Sequence, residues 1–193
     1  NKEDYIMRYC FDIETDGFLD TATKVHCIIL KNIDTNEILH LNNAQAVKKL
    51  EEAELIIGHN IIKFDIPVLR KFYNLKSKAK VFDTIVATRL LFPDIKDQDF
   101  KHKNFPKDCI GRHSLKAWGN RVGECKEQFD TDWKEFSVGM LEYCIQEVHV
   151  THTLFNVIEK KQYSQQAMDL EHNVAEIIFQ QEQYGFTFNK EKA

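Results

Sequence analysis

The chain has 193 residues, of which 43% are hydrophobic and 29% are charged, and its formal net charge is −4 at pH 7. This length and composition are typical of a soluble globular protein of one large domain, or of one and a half small ones, with a substantial core. No apolar stretch approaches the roughly 18 residues that span a membrane, and no secretion signal leads the chain. The negative charge argues against binding nucleic acid by bulk charge alone, but it allows an acidic site that recruits metal ions to meet phosphates.

The first part of the chain alternates β-forming and helical patterns. We predict strands over residues 5–14, 24–33, 37–41, 54–60 and the start of 80–92. The second and third strands form a hairpin, because the turn signal Asp-Thr-Asn separates them. Helical spacing predicts helices over 44–53, 63–74 and the remainder of 80–92. Strands that alternate with helices indicate an α/β domain with a mixed sheet.

The second part of the chain predicts helices without strands. Residues 93–112 are polar and irregular, and helical patterns follow over 114–123, 137–161 and 164–185, the last ending at Gly185. The chain starts without Met and ends in a segment typical of a helix start, so we expect a domain of a longer protein. The cysteines are odd in number, scattered and never in a C-x-x-C pair, which indicates reduced cytosolic thiols rather than disulfides or a zinc site. They are Cys10, Cys27, Cys109, Cys125 and Cys144.

Two carboxylates, Asp12 and Glu14, end the first predicted strand. Side chains alternate between the faces of a strand, so these two lie on the same face. Like charges placed side by side repel and raise one another's pKa. A sequence keeps such a pair at little cost only if both carboxylates are solvated or if a cation lies between them.

Two further acids occur where an α/β fold would bring them close to this pair. Asp65 opens the helix that follows the segment GHNIIKF, and Glu147 follows Tyr143 by one turn of the long helix, on the same face. Divalent ions such as magnesium prefer oxygen ligands of this kind. Four acids around two ions, roughly 3.5–4 Å apart, form the layout of two-metal phosphoryl hydrolysis, in which Tyr143 would orient the attacking water.

Each of these features also has an ordinary structural explanation. A D-x-E pair is common at strand ends, an Asp at a helix start usually caps the helix, and a buried Glu usually pairs with Lys or Arg. The three features in this order are far more specific than any one of them.

The segments FDIETDG, GHNIIKFDIPVL and YCIQEVHVT resemble the three motifs of the DEDD superfamily of 3'-5' exonucleases, in its tyrosine branch. The histidine branch would need His at position 142, where this chain has Glu142. In addition, residues 111–130 and 169–191 are similar to segments of the family A replicative DNA polymerases of short-tailed bacteriophages. The resemblance therefore covers nearly the whole chain and identifies it as similar to their proofreading exonuclease domain.

The resemblance implies a ribonuclease H-like fold, a mixed five-stranded sheet flanked by helices. It implies an exonuclease domain over 1–162 and, over 163–193, a C-terminal helix that leads toward a polymerase domain in the full-length chain. It also implies that the chain hydrolyses single-stranded or frayed DNA 3' ends to nucleoside monophosphates, with two Mg²⁺ or Mn²⁺ ions per site. We expect no membrane partner and a cytoplasmic location, in a bacterial host cell if a phage encodes the chain.

Carried over residue by residue, the resemblance assigns both a catalytic centre and DNA contacts. Its metal ligands are Asp12, Glu14 and Asp65, with Glu147 in the place of the third-motif acid, and its water-orienting residue is Tyr143. Its contacts to the 3'-terminal nucleotide are Thr15, Phe18, Asn60 and Phe64.

Glu147 departs from the family pattern, which has Asp at this position. The extra methylene moves the carboxylate by about 1.5 Å, which is large for a catalytic site. The alternative function is therefore an exonuclease-like domain that binds single-stranded DNA but cleaves weakly or not at all. A structural adaptor with this fold would leave Asp12, Glu14 and Asp65 unexplained.

Three further features of the sequence are less specific. His149 and His152 are spaced as a metal pair, but no third soft ligand is near, and we expect them at the surface or beside DNA. The lysines of residues 76–80 and 96–107 either contact a nucleic-acid backbone or form a solvated face. Asp83 is expected to cap the helix that follows it.

Overall fold

The computed structural model describes residues 7–124, 132–189 and 191–192. The strands are β1 (Arg8–Thr15), β2 (Val25–Asn32), β3 (Ile38–His40), β4 (Leu55–Gly58) and β5 (Lys80–Asp83). The helices are α1 (Asn43–Glu52), α2 (Asp65–Tyr73), α3 (Thr84–Leu91), α4 (Ile95–Asp99), α5 (Leu115–Val122), α6 (Val138–Glu159) and α7 (Gln165–Tyr184). The first two residues of the first predicted strand, Cys125 and the end of the similar segment 111–130 lie outside the described residues.

The strands form one mixed sheet in the order β3-β2-β1-β4-β5. Strand β2 pairs antiparallel with both β1 and β3, whereas β4 is parallel to β1 and β5 is parallel to β4. Strand β1 is therefore central, and its carboxyl end lies at the same edge of the sheet as those of β4 and β5. This sheet, flanked by helices, confirms the predicted α/β, ribonuclease H-like architecture.

Alternate residues of β1 enter two separate cores. Tyr9, Phe11 and Ile13 pack in the core beneath α1 and α2. Cys10 packs in the second core, with side chains of α3, α5 and α6. Because the side chains alternate, Asp12 and Glu14 lie on the face of β1 that α6 covers. The first strand therefore delivers its two carboxylates toward the long helix.

The segment 93–112 was predicted as irregular, and this is wrong in part. It contains α4 and a 3₁₀ turn, Lys107–Cys109. Asp99, which is 2% exposed, accepts two hydrogen bonds from Arg121 at 2.9 and 2.8 Å and one from the Gly111 N–H at 2.8 Å. Although burial opposes the shift, these donors hold the pKa of Asp99 below its usual range. A five-residue helix held by such contacts has too few residues to show helical periodicity.

Helix α7 packs on α3 and β5. Among the residues that the structure describes, two ion pairs join it to other elements, Lys63 with Glu182 at 2.7 Å and Lys80 with Asp169 at 2.8 Å. The division of the chain at residue 162 stays a prediction. Within the described parts of the chain, no helix combines the length and the apolar character needed to cross a membrane.

Candidate active site

The end of β1 presents Asp12 and Glu14. Asp12 is half-buried and Glu14 is 7% exposed. In the pairing with β2, Asp12 is opposite Ile29 and Glu14 is opposite Cys27, and the register shifts directly after Glu14. The backbone that carries both carboxylates is thus held by the pairing of β1 with β2, just before the chain leaves the sheet.

Asp65 is the first residue of α2 and is 3% exposed. Burial, and then the negative charge of Asp12, raise the pKa of Asp65 well above its usual range. Its Oδ1 atom is fully buried and has no hydrogen-bond partner among the described residues. An acceptor buried in this way costs about 1–3 kcal/mol unless a partner such as a cation satisfies it.

Helix α6 brings Tyr143 to the same place. Burial, followed by the charges of Glu14 and Asp12, raises the pKa of Tyr143 to about 12, so its side chain is a neutral phenol at physiological pH. The Trp133 ring packs edge-on against the Tyr143 ring, with 6.0 Å between centroids. Glu147 is half-buried and follows Tyr143 by one helical turn. The roles of these residues stay predictions.

The thiol of Cys144 also belongs to this cluster, although the sequence motifs predict no role for it. Its Sγ atom lies 3.5 Å from both Oδ2 and the backbone O of Asp12. Burial, together with the hydrogen bond to the Cys27 thiol and the nearby carboxylates, raises the pKa of Cys144 well above its usual value. The sequence signal was available, since Cys144 and Val148 occupy the α6 face that the apolar spacing turns toward the sheet.

The ligand atoms of this cluster are close enough to hold a metal ion. One atom each from Asp12, Glu14 and Cys144 lie within 4.8 Å of one another. Together with the buried, unsatisfied Oδ1 of Asp65, this set is rich in the hard oxygen donors that suit Mg²⁺ or Mn²⁺. The residues present therefore fit a divalent cation.

The four predicted DNA contacts differ in how exposed they are. Phe18 is 82% exposed, in the loop after β1. The hydroxyl of Thr15 donates to the Gly17 carbonyl at 2.7 Å, so this side chain shapes the turn. Asn60 is half-buried with a φ of 67°, and Phe64 is half-buried against the core of α1 and α2. Among the four, Phe18 alone offers a fully accessible surface.

The loop that carries Phe18 is held by Asp16. This carboxylate accepts hydrogen bonds from the backbone N–H groups of Thr23 and Lys24, at 2.8 and 3.1 Å, and from the Thr23 hydroxyl. The Thr23 hydroxyl and these N–H groups lower the pKa of Asp16 to about 2. The aromatic ring of Phe18 is therefore presented by a fixed turn that directly follows β1.

Asp83 caps α3 as predicted, because its carboxylate accepts from the Ile85 N–H at 3.0 Å. His149 and His152 do not form a metal pair, since the ammonium of Lys31 lies 3.3 Å from His149 Nδ1. The expectation that both histidines lie at the surface is wrong for His152, which is 8% exposed. Burial and Lys31 lower the pKa of both imidazoles, which disfavours their charged forms.

The sheet order and the flanking helices give this chain a ribonuclease H-like fold. Its fold is similar to that of Brucella melitensis NrnC bound to pGG, with a TM-score of 0.61, 20% identity and coverage of 93% of this chain and 83% of that one. NrnC with bound Mg²⁺ gives a TM-score of 0.59 with the same identity and coverage.

Sequence comparison connects this fold to a particular group of proteins. The chain is 29% identical to the DNA-directed DNA polymerase of Escherichia phage T7 and 27% identical to that of Enterobacteria phage T3, in each case over 92% of its length. These matches confirm the predicted resemblance to phage DNA polymerases. The chain spans about a third of the length of these relatives. No family model matches the sequence.

Proposed function

We propose that this chain is a metal-dependent 3'-5' exonuclease that hydrolyses DNA ends to nucleoside monophosphates. The observation that carries the proposal is the buried Oδ1 of Asp65, which has no hydrogen-bond partner among the described residues, next to the Asp12, Glu14 and Cys144 cluster. Several partly buried carboxylates in one place are costly without a cation. The similarity to phage DNA polymerases and the nuclease fold support the same function.

Asp12, Glu14, Asp65 and Glu147 would hold two Mg²⁺ or Mn²⁺ ions. Bound divalent ions would neutralise the negative charge of the scissile phosphate and lower the pKa of a bound water molecule. The Tyr143 phenol keeps its proton at neutral pH, so it is able to hydrogen-bond an attacking water and orient it. The exposed Phe18 ring would pack against the frayed terminal base, which selects an unpaired end.

We further propose that the chain works beside a polymerase domain in a longer protein, in the cytoplasm of a bacterial host. The phage polymerases that it resembles are about three times as long as the region it matches. Removal of mismatched nucleotides from a growing 3' end is the proofreading role that this arrangement supports.

The direct test uses short single-stranded DNA labelled at one end. With Mg²⁺ or Mn²⁺ we expect a 5'-labelled strand to give a ladder that shortens from the 3' end, and a 3'-labelled strand to release its label as a mononucleotide. Paired blunt ends should be cut more slowly, and EDTA or Asp12→Ala should stop the reaction.

Digestion from the 5' end, or cuts in a circular single strand, would contradict the assignment. Binding of the strand without turnover would instead favour the alternative of a DNA-binding domain weakened by Glu147. The same cleavage assay with an RNA strand of the same sequence would establish whether the chain acts on DNA only.

A further inference from the structure

The carboxylate of Asp83 is 1% exposed and makes contacts beyond the helix cap for which it was predicted. Its Oδ1 accepts from the Asn60 N–H at 2.7 Å, and its Oδ2 accepts from the Ile62 N–H at 3.0 Å. With the cap bond to Ile85, three backbone N–H groups point at this one side chain. Burial raises the pKa of Asp83, and these N–H donors oppose the rise because they favour the charged form.

Two of the three donors belong to the loop over residues 58–64, which starts at the last residue of β4 and leads to α2. Asn60 is in the left-handed region, with φ at 67°, which costs a non-glycine residue free energy unless surrounding contacts hold it. Gly58, the last residue of β4, leaves no room for a side chain, because a Cβ there would lie 3.1 Å from the Phe11 carbonyl oxygen and would overlap Cγ2 of Ile61 in the loop. The conformation of this loop is therefore tightly specified.

The loop in turn sets where Asp65 lies. The Phe64 N–H donates to the Asn60 carbonyl at 3.2 Å, and the Ile66 N–H donates to the Ile61 carbonyl at 3.0 Å. Asp65 stands between these two anchored residues at the start of α2. A shift of the loop at Asn60 and Ile62 would therefore move the Asp65 carboxylate relative to β1.

His172 of α7 holds Asp83 from the opposite side. Its Nε2 accepts a hydrogen bond from the Asp83 N–H at 2.8 Å, and its Nδ1 lies 2.8 Å from the Met168 carbonyl. A carbonyl only accepts, so Nδ1 carries the proton and Nε2 is free to accept. The ring is 8% exposed and lies 5.3 Å from the Phe82 ring. Helix α7 thus fixes the backbone at the end of β5.

We propose that Asp83 and His172 are positioning residues for the candidate active site. Asp83 holds the 58–64 loop so that Asn60 and Asp65 take their places beside β1, and His172 holds Asp83 in place from α7. Neither side chain touches substrate or metal. The proposal rests on the proposed function for its rate readout only, because metal affinity and loop protection measure the same arrangement without any cleavage.

The first test compares Asp83→Asn with Asp99→Asn. Both replace an almost fully buried aspartate that accepts backbone N–H bonds, but Asp99 pairs with Arg121, outside the candidate site. Asparagine at position 83 would turn an NH₂ group toward one of the N–H donors. Removal of a contact that orients a metal ligand typically lowers metal affinity or activity by about 10–100-fold.

For Asp83→Asn we expect faster hydrogen exchange over residues 58–64, Mn²⁺ affinity about tenfold weaker by calorimetry, and kcat reduced by about tenfold or more with a smaller change in KM. For Asp99→Asn we expect a lower melting temperature, with Mn²⁺ affinity and kcat close to the parent at temperatures where both are folded.

The second test compares His172→Gln with His172→Leu. Glutamine offers a side-chain oxygen that is able to accept from the Asp83 N–H, whereas leucine offers none. We expect His172→Leu to reproduce the Asp83→Asn pattern and His172→Gln to restore most of the Mn²⁺ affinity and kcat.

The proposal is overturned if Asp83→Asn and His172→Leu lower the melting temperature but keep Mn²⁺ affinity and kcat within about twofold of the folded parent. Such a change is well short of the roughly tenfold loss expected when a contact that orients a metal ligand is removed. If the parent cleaves no DNA, the proposed function fails. In that case hydrogen exchange and Mn²⁺ affinity still decide whether Asp83 and His172 position the loop.

Discussion

Replacement of Asp65 by Asn should separate the metal site from the stability of the fold. In the metal-free chain, Asp65 is a 3% exposed carboxylate beside Asp12, with one oxygen that has no hydrogen-bond partner among the described residues. Asparagine has nearly the same shape, carries no charge and offers an N–H donor to Asp12. We therefore expect Asp65→Asn to raise the free energy of unfolding in EDTA by about 1 kcal/mol.

The magnitude with metal follows from mass action. A divalent ion present at 100 times its dissociation constant adds about 2.7 kcal/mol to the stability of the parent. In a chain of 193 residues, each kcal/mol moves the melting temperature by about 2–4 °C. Saturating Mn²⁺ should therefore raise the parent's melting temperature by about 5–10 °C. In Asp65→Asn the rise should be less than half as large, because one charged ligand is lost.

The assay is calorimetry or thermal fluorescence in EDTA and in millimolar MnCl₂. Asp99→Asn is the matched control, since Asp99 is equally buried but is bound to Arg121. In EDTA the control should have a lower melting temperature than the parent, and Mn²⁺ should raise its melting temperature by as much as it raises that of the parent. An unchanged melting temperature of the parent in Mn²⁺, or an equal response in Asp65→Asn, would show that Asp65 is not a metal ligand.

Three further predictions concern the same site. Glu147→Asp should raise the single-turnover cleavage rate, most in Mg²⁺, whose octahedral geometry is strict; a slower enzyme would show that the backbone already accommodates Glu147. Tyr143→Phe should lower that rate by about 10–100-fold while the Mn²⁺ affinity measured by calorimetry stays unchanged, because only a hydrogen bond to water is lost. In EDTA, the free energy of unfolding measured with urea should fall as pH rises above about 4. The reason is that burial and Asp12 raise the pKa of Asp65 in the folded state, which therefore binds the proton more tightly than the unfolded state. Asp65→Asn should flatten this fall, and an identical pH dependence in both proteins would contradict the cause we assign.

The sheet and the main helices could be predicted because local patterns determine them. Alternation in β1 placed Asp12 and Glu14 on one face, and the structure has both on the face toward α6. Helical spacing found α6 and α7, and Gly185 does follow the last residue of α7. These features depend on neighbours within a few residues, which a single sequence displays.

Contacts between segments that are distant in the sequence could not be predicted. The thiol of Cys144 touches Asp12 across 132 residues. Helical spacing turns Cys144 toward the sheet, but it does not indicate which strand residue the thiol meets. Asp83 was predicted as a helix cap from its local position, but its hold on Asn60 depends on the parallel pairing of β4 and β5, which brings their ends together. Short α4 escaped prediction because Arg121 stabilises it from another helix.

The wide separation of the site residues has a consequence for protein synthesis. Strand β1 emerges from the ribosome well before α6, because β1 ends at residue 15 and α6 begins only at residue 138. Closing so long a loop is entropically costly and occurs late in folding, after local elements have formed. A nascent chain that has exposed only the sheet therefore lacks the helix that completes the carboxylate cluster. The proposed nuclease activity would therefore appear only after most of the domain has been made.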